Sequence, residues 1–310
     1  MSEDPRRAGA GPAGSGFRMQ RVRVPLRVPL GGLEVREAVL VEGPFGWGEI
    51  SPLPGYPCDL RRCEEAAREA AFAGWPVAVR AEVPVNALVP AVDADAAAGM
   101  AAESMAAGMT TVKVKVGGAS LAEDADRLAA VRATLGPGGR IRLDANGVWD
   151  VDSAVAAIER LARFDLELVE QPVADLDDLA LVRRRVAVPV AADESVRTLD
   201  DARRLAALDA ADAVVVKVQP LGGVRAALQV IEAAGVPAIV SSLYETSIGL
   251  AAGVALAAAL PDLPYACGLG TATLLAGDVV ADPLVPEHGK LTVRRLEPDP
   301  ALLARWGIEA

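Results

Sequence analysis

Histidine is almost absent from this chain: among 310 residues only His288 carries an imidazole, and it lies in the Pro/Gly-rich segment "PLVPEHGK". A Ser/His/Asp hydrolase, a Cys/His protease and a His-rich zinc site are excluded, because each needs an imidazole beside a nucleophile or a metal. Cysteine is scarce too. Cys58, Cys63 and Cys267 are odd in number and lack paired metal-ligand spacing, which argues against a disulfide framework and for the thiols of a cytoplasmic protein. Basic residues are outnumbered, 31 against 42 acidic, and the formal charge of −11 repels phosphate backbones and anionic membrane surfaces. Neither nucleic acid nor a membrane is expected as a partner. Long apolar runs are also missing: the alanine-rich stretch 249–260 stops at Pro261, short of the roughly 20 residues that span a bilayer. The opening "MSEDPRRAGAGPAGSG" has no apolar middle of a signal peptide, and residues 1–16 are expected to form a disordered leader.

What the chain does have is apolar content, 52% with a mean hydropathy of +0.29, enough for a large core. Residues 17–80 read as strand, strand, helix. "FRMQRVRVPLRVPL" and "LEVREAVLVEG" flank Gly31 and Gly32, and the turn-rich "WGEISPLPGYPCDL" leads into the helical "RRCEEAAREAAFAG", the outline of a small α+β domain. Residues 81–276 change texture. Short β-branched runs, among them "TVKVKVG", "IRLDANG", "LELVEQP", "VPVAADES" and "AVVVKVQP", alternate with alanine-rich stretches whose apolar residues recur at helical spacing. Eight such runs, ending with "PYACGLG", over roughly 190 residues match the arithmetic of a parallel α/β barrel. A doubly wound sheet is the alternative, but it would carry a Gly-rich first turn, and none follows the first strands; the late "GLGTAT" reads as a turn.

Catalytic groups of a barrel sit where its strands end. The third run ends in Asp144, the fourth in Glu170 and the fifth in Asp193, spaced by 26 and 23 residues, one βα unit each time. One acid at a strand end is commonly a helix N-cap; three in register are different. Carboxylates converging in a partly dry mouth repel one another unless a cation sits among them. Oxygen ligands without Cys or His select Mg²⁺, with Mn²⁺ as a near equivalent. Asn146 and Glu194 lie beside these acids as candidate supports, surface hydrogen bonding being the other reading for Glu194. Arg142, on the same strand face as Asp144, either assists that site or forms a core ion pair.

The valine-rich second run carries Lys113 and Lys115 on one face, about 6 to 7 Å apart. The sixth supplies Lys217, 24 residues after Asp193 and roughly opposite in an eight-stranded barrel. These lysines either merely neutralise the acids, or crowding by Mg²⁺ and by each other depresses their proton affinity so that one acts as a neutral base near pH 7, taking a proton next to a carboxylate. At the seventh strand "VSSLYET" offers Ser241, Ser242 and the amides of the following helix to a second carboxylate, or serves only to cap that helix.

The order KxK, Asp, Glu, Asp, Lys on successive strands resembles the muconate-lactonizing-enzyme subgroup of the enolase superfamily. "GWGEISPLPGY", "RLDANGVWD", "VVVKVQPLGG", "SSLYETSIGL" and "GLGTATLLAGDVV" look most like its o-succinylbenzoate synthase family. That resemblance implies an α/β fold with an α+β capping domain (17–80), a modified TIM barrel of (β/α)7β type (81–276) and a tail from about 277 to 310 returning to the cap. It implies Mg²⁺ on Asp144, Glu170 and Asp193, Lys115 as base, Lys113 as its electrostatic companion, and Lys217 as the opposite, cationic lysine. The activity it implies is dehydration of 2-succinyl-6-hydroxy-2,4-cyclohexadiene-1-carboxylate to 2-succinylbenzoate in menaquinone biosynthesis. Racemisation of N-succinyl amino acids is the nearest rival. Muconate cycloisomerisation and dipeptide epimerisation follow, and a barrel with a purely structural cation site is the non-catalytic alternative.

Overall fold

Alternating burial organises the first part of the chain. In the computed structural model, which describes residues 18–30, 32–118 and 120–308, β1 (Met19–Leu30), β2 (Leu33–Gly43) and β3 (Gly46–Ile50) form an antiparallel sheet in that order. The leader expected over residues 1–16 lies outside the described residues. Along β2, Arg36, Ala38 and Leu40 turn inward while Val35, Glu37 and Val39, on the other face, are half-buried or exposed, the period of two that a half-buried strand requires. The helix Leu60–Phe72 starts where the Asp59 carboxylate accepts from the Arg61 amide at 2.9 Å, and buries Cys63, Ala66, Ala67, Ala70 and Ala71. It lies close against β2 and β3 because Gly43 and Gly48 have no side chain: a Cβ there would stand 2.3 Å from the Ala71 carbonyl oxygen and 2.2 Å from that of Ala67.

After β4 (Glu82–Pro84) come seven parallel strands: β5 (Ala87–Val89), β6 (Thr111–Lys115), β7 (Arg140–Asp144), β8 (Leu166–Glu170), β9 (Val190–Ala192), β10 (Ala213–Lys217) and β11 (Ala238–Ser241). They pair in strict sequential order, and a helix follows each one, as right-handed crossovers between parallel neighbours dictate. The eighth strand expected from "PYACGLG" shrinks to Cys267 and Gly268, which close the ring. The Gly268 amide donates to Val240 at 2.8 Å, the Cys267 amide to Pro84 at 2.8 Å, and the Asn86 amide to Cys267 at 2.9 Å. The element directly after it is a 3-10 helix, Gly270–Leu274, formed by the "GTAT" of "GLGTAT" and the following leucine. The α/β fold with a cap and a (β/α)7β barrel is therefore as expected.

The C-terminal segment runs back to the cap. The Ala276 amide donates to Pro25, β12 (Lys290–Thr292) pairs antiparallel with β4, and Gly307 bridges Val22 next to the short helix Pro300–Trp306. Leu275, Val279, Val280 and Leu303 complete the apolar cluster begun by Val22, Val24 and Leu40. Inside the barrel Leu168, Ala191, Ala213, Val215 and Ile239 form a packed floor. Two residues further along these strands the inward positions are Glu170, Asp193 and Lys217, so one change of residue type per strand converts core into site. No helix among the described residues is long and apolar enough to cross a membrane.

Candidate active site

Above the apolar floor lies a ring of alternating charge. Lys113 and Lys115 stand opposite Arg142 and Asp144 in the β6–β7 register, and Asp144 is beside Glu170 in the β7–β8 register. The Lys113 ammonium bridges Asp144 Oδ2 and Glu170 Oε1, both at 2.8 Å. Lys115 donates to Asp144 Oδ2 at 2.7 Å and to Asn146 Oδ1 at 2.6 Å, and Asn146 passes its own amide hydrogen to Glu194 Oε1 at 2.9 Å. Across the ring Lys217 donates to Asp193 Oδ1 at 2.6 Å and also contacts Oδ2. Among the described residues no three acid, histidine or cysteine side chains form a ready-made metal cage; the three acids are interleaved with three ammonium groups.

Burial and charge oppose each other throughout this ring. Burial raises the Asp144 carboxyl, but Lys113 and Lys115 more than offset it and hold the group well below the ordinary carboxylate range. Glu170 goes the other way, pushed up to about 8 by burial and by the Asp144 charge, against which Lys113 is insufficient. Burial disfavours the charged forms of Lys113 and Lys217 as well. For Lys113 the charges of Asp144 and Glu170 prevail, and for Lys217 those of Asp193, Tyr56 and Glu194, so both proton affinities lie above the ordinary lysine value. In the protein alone each of these two lysines faces more acid than base; the depression expected from Mg²⁺ and from mutual crowding concerns the metal-loaded site.

Arg142 takes the core-ion-pair alternative. Its guanidinium, one pleat below Asp144, donates to Glu167, to Asn86 Oδ1 at 3.3 Å and to the Ala266 carbonyl at 2.7 Å, and lies 5.4 Å from the Tyr265 ring centre. None of these partners belongs to the acid ring. The helix amides expected to receive a substrate carboxylate are likewise committed. The helix Ser247–Ala259 begins at Thr246, and buried protein carboxylates occupy its first N–H groups: Glu49 accepts from Thr246 N at 3.2 Å and Gly249 N at 2.9 Å, and Asp278 accepts from Ser247 N at 3.2 Å. Ser241 and Ser242 do line the cavity above the ring, Ser242 Oγ meeting Thr271 Oγ1 at 2.9 Å and the Gly268 carbonyl at 2.8 Å.

That cavity has a volume of about 660 Å³ and runs between the barrel mouth and the cap. Local sequence patterns missed Tyr56, which the cap loop lays over the ring. Its hydroxyl donates to Asp193 Oδ1 at 3.0 Å, and Lys217 Nζ sits 4.2 Å from its ring centre. The scarcity of aromatic residues was the available signal, since Tyr56 is one of only three tyrosines. Gln171, with a left-handed backbone (φ 39°), accepts from the Asp193 amide at 2.6 Å and from Ser195 Oγ at 2.9 Å, fixing the loop that bears Asp193. Gln219, two residues beyond Lys217, clamps the cap loop by accepting from the Ser51 amide at 2.8 Å and donating to Ser51 Oγ at 2.9 Å.

Comparison with known proteins bears on what this ring does. The family model described as enolase C-terminal domain-like matches residues 96–298, and that described as enolase N-terminal domain-like matches residues 21–71. An o-succinylbenzoate synthase of Thermobifida fusca is 57% identical over 92% of this chain and 90% of its own length. One from Mycolicibacterium smegmatis is 45% identical over 93% and 89%. The chain belongs to the o-succinylbenzoate synthase family of the enolase superfamily. The fold is shared more widely: muconate lactonizing enzyme from Pseudomonas fluorescens superimposes with a TM-score of 0.85 at 21% identity over 94% of this chain and 98% of its own. Dipeptide epimerase from Enterococcus faecalis gives 0.79 at 24% identity, over 90% and 96%.

Superfamily membership implies a divalent metal ion. The residues present fit one. Three carboxylates from adjacent strands supply only hard oxygen donors, Glu170 is short of positive charge, and the buried Glu194 Oε2 has no hydrogen-bond partner.

Proposed function

We propose that this chain is a hydro-lyase that converts 2-succinyl-6-hydroxy-2,4-cyclohexadiene-1-carboxylate to 2-succinylbenzoate. The observation that carries the reading is the confrontation of Lys115 and Lys217 across one cavity, from strands β6 and β10, in a chain 57% identical to an o-succinylbenzoate synthase. Asp144, Glu170 and Asp193 are the residues that would hold Mg²⁺, or Mn²⁺ in its place. Bound there, the ion supplies positive charge beside a substrate carboxylate. Asn146 and Glu194 orient the neighbouring groups through their mutual hydrogen bond.

Lys115 is assigned the proton transfers. Its side chain is 24% exposed against 12% for Lys113, so of the two it is the one open to a ligand. The Lys115 amine takes the C1 proton next to the ring carboxylate. The C1–H electron pair forms the C1–C6 double bond as the C6–O bond breaks, and the same ammonium returns the proton to the departing hydroxide, giving water and an aromatic ring. Lys113, held charged beneath, tunes the field. Lys217, held charged by Asp193, faces the negative charge that grows on the carboxylate. Three ammonium groups on two facing, largely apolar strands are costly without such a use, which weighs against a purely structural cation site. The cytoplasmic setting expected from the cysteines belongs to the same proposal.

One specific feature favours a second activity: Lys217 reaches the cavity from the face opposite Lys115, the arrangement that racemisation of an N-succinyl amino acid needs. The test is loss of the cyclohexadiene absorbance by Mg²⁺-loaded protein, alongside polarimetry on N-succinyl amino acids. Lys115→Ala should abolish dehydration with the far-ultraviolet dichroism unchanged. Folded, metal-loaded protein that leaves the absorbance constant and exchanges no substrate α-proton in D₂O would sink the enzyme reading.

A further inference from the structure

Four cationic side chains line the cavity: Arg27, Lys113, Lys115 and Lys217. Each lysine is already matched by an acid of the ring. Arg27, on the cap strand β1, is not; among the described residues no carboxylate pairs with it. Its one described hydrogen bond runs from Nε to the Leu275 carbonyl oxygen at 2.9 Å. That oxygen is held in place, because Leu275 bridges Leu26 and the Ala276 amide donates to Pro25 at 2.8 Å. Anchoring through Nε fixes the plane of the guanidinium and leaves both terminal NH₂ groups for a planar acceptor, the geometry in which Arg takes a carboxylate through two parallel bonds.

Of the other donors offered to a second carboxylate, the helix amides and Ser242 are spent, and Ser241 brings a hydroxyl without charge. The amides opening Ser247–Ala259 serve Glu49 and Asp278, and Ser242 Oγ is engaged with Gly268 and Thr271. The wall next to Arg27, formed by Thr271, Thr273 and Leu274, is continuous with its Leu275 anchor and carries no charge of its own. A ligand with one carboxylate at the lysine ring thus meets a single further unmatched cation in the same cavity.

We infer that Arg27 receives the distal carboxylate of a dicarboxylate substrate and is the residue by which this chain selects succinyl-bearing compounds. The inference rests on the dehydratase reading above, since that substrate carries a ring carboxylate and a succinyl carboxylate. Among the described residues Arg27 shares no hydrogen bond or ion pair with the ring, so it acts on binding and leaves the proton transfers alone.

The experiment compares Mg²⁺-loaded wild-type protein with Arg27→Gln, whose amide can still donate to Leu275, and with Arg27→Lys. Steady-state kinetics are read together with calorimetric binding of 2-succinylbenzoate and of benzoate. The expected result for Arg27→Gln is a KM raised about tenfold or more with kcat within about threefold. Its preference for 2-succinylbenzoate over benzoate should collapse, and Arg27→Lys should restore part of it. A folded Arg27→Gln protein that keeps the wild-type preference overturns the assignment while leaving the dehydratase reading intact. Wild-type protein that neither turns over the cyclohexadiene nor binds 2-succinylbenzoate overturns both.

Discussion

Replacing Glu49 with glutamine tests how the cap is fastened to the barrel. Glu49 follows the cap strand's inward face, is 3% exposed, and accepts from Ser51 Oγ, Thr246 N, Thr246 Oγ1 and Gly249 N. Burial pushes its carboxyl up to about 7 from an ordinary 4.5, the four donors and Arg36 recovering only part of the desolvation penalty while Glu245 adds to it. A carboxyl raised in the folded state stabilises the fold fully below the unfolded value, and that contribution is lost as pH rises through the folded one. At about 1.36 kcal/mol per pKa unit, the loss between pH 4.5 and pH 8 amounts to about 3 kcal/mol. Glu49→Gln keeps the size and removes the titration. Urea unfolding across this range should therefore show the variant gaining about 3 kcal/mol on the wild type as pH rises, background titrations cancelling in the difference. A difference that stays flat from pH 4.5 to 8.5 would refute the reasoning, and would mean that the donors hold Glu49 as an anion throughout.

Tyr56→Phe deletes the hydrogen bond to Asp193 and keeps the ring over Lys217; kcat/KM for dehydration should fall about tenfold, and a fall beyond about a thousandfold would put the phenol in the proton path. Gly48→Ala drives a Cβ against the Ala67 carbonyl oxygen and should cost about 1 to 3 kcal/mol of stability, so an unchanged melting temperature would contradict the close helix–sheet approach. Lys217→Arg preserves charge but removes a group able to give up its proton. It should therefore depress racemisation of N-succinyl amino acids far more than dehydration, and equal losses in the two assays would show that Lys217 does more than hold charge.

Local periodicity positioned the site, and distant contacts decided its charge. Asp144, Glu170, Asp193 and Lys217 were legible because each sits at the end of a short apolar run, one βα unit apart, where the alternation of a parallel strand leaves only two directions for a side chain. The pairing Lys113/Lys115 was legible for the same reason. Nothing within "TVKVKVG" shows, however, that Lys113 meets two carboxylates, 31 and 57 residues away, and that balance is what raises its proton affinity in the protein alone. The same limit explains why the role of the helix amides stayed open between two readings. "SSLYETS" offers several hydroxyl caps, and the residue that fills the helix start is Glu49, 197 residues earlier in the cap. Tyr56 and Arg27 belong to this class: both come from cap segments whose own patterns describe only a turn and an edge of sheet. A barrel of consecutive βα units writes its catalytic layer into the sequence as a spacing. A cap that folds back over it contributes lone residues without a period, and these surround the part of the cavity where substrates differ.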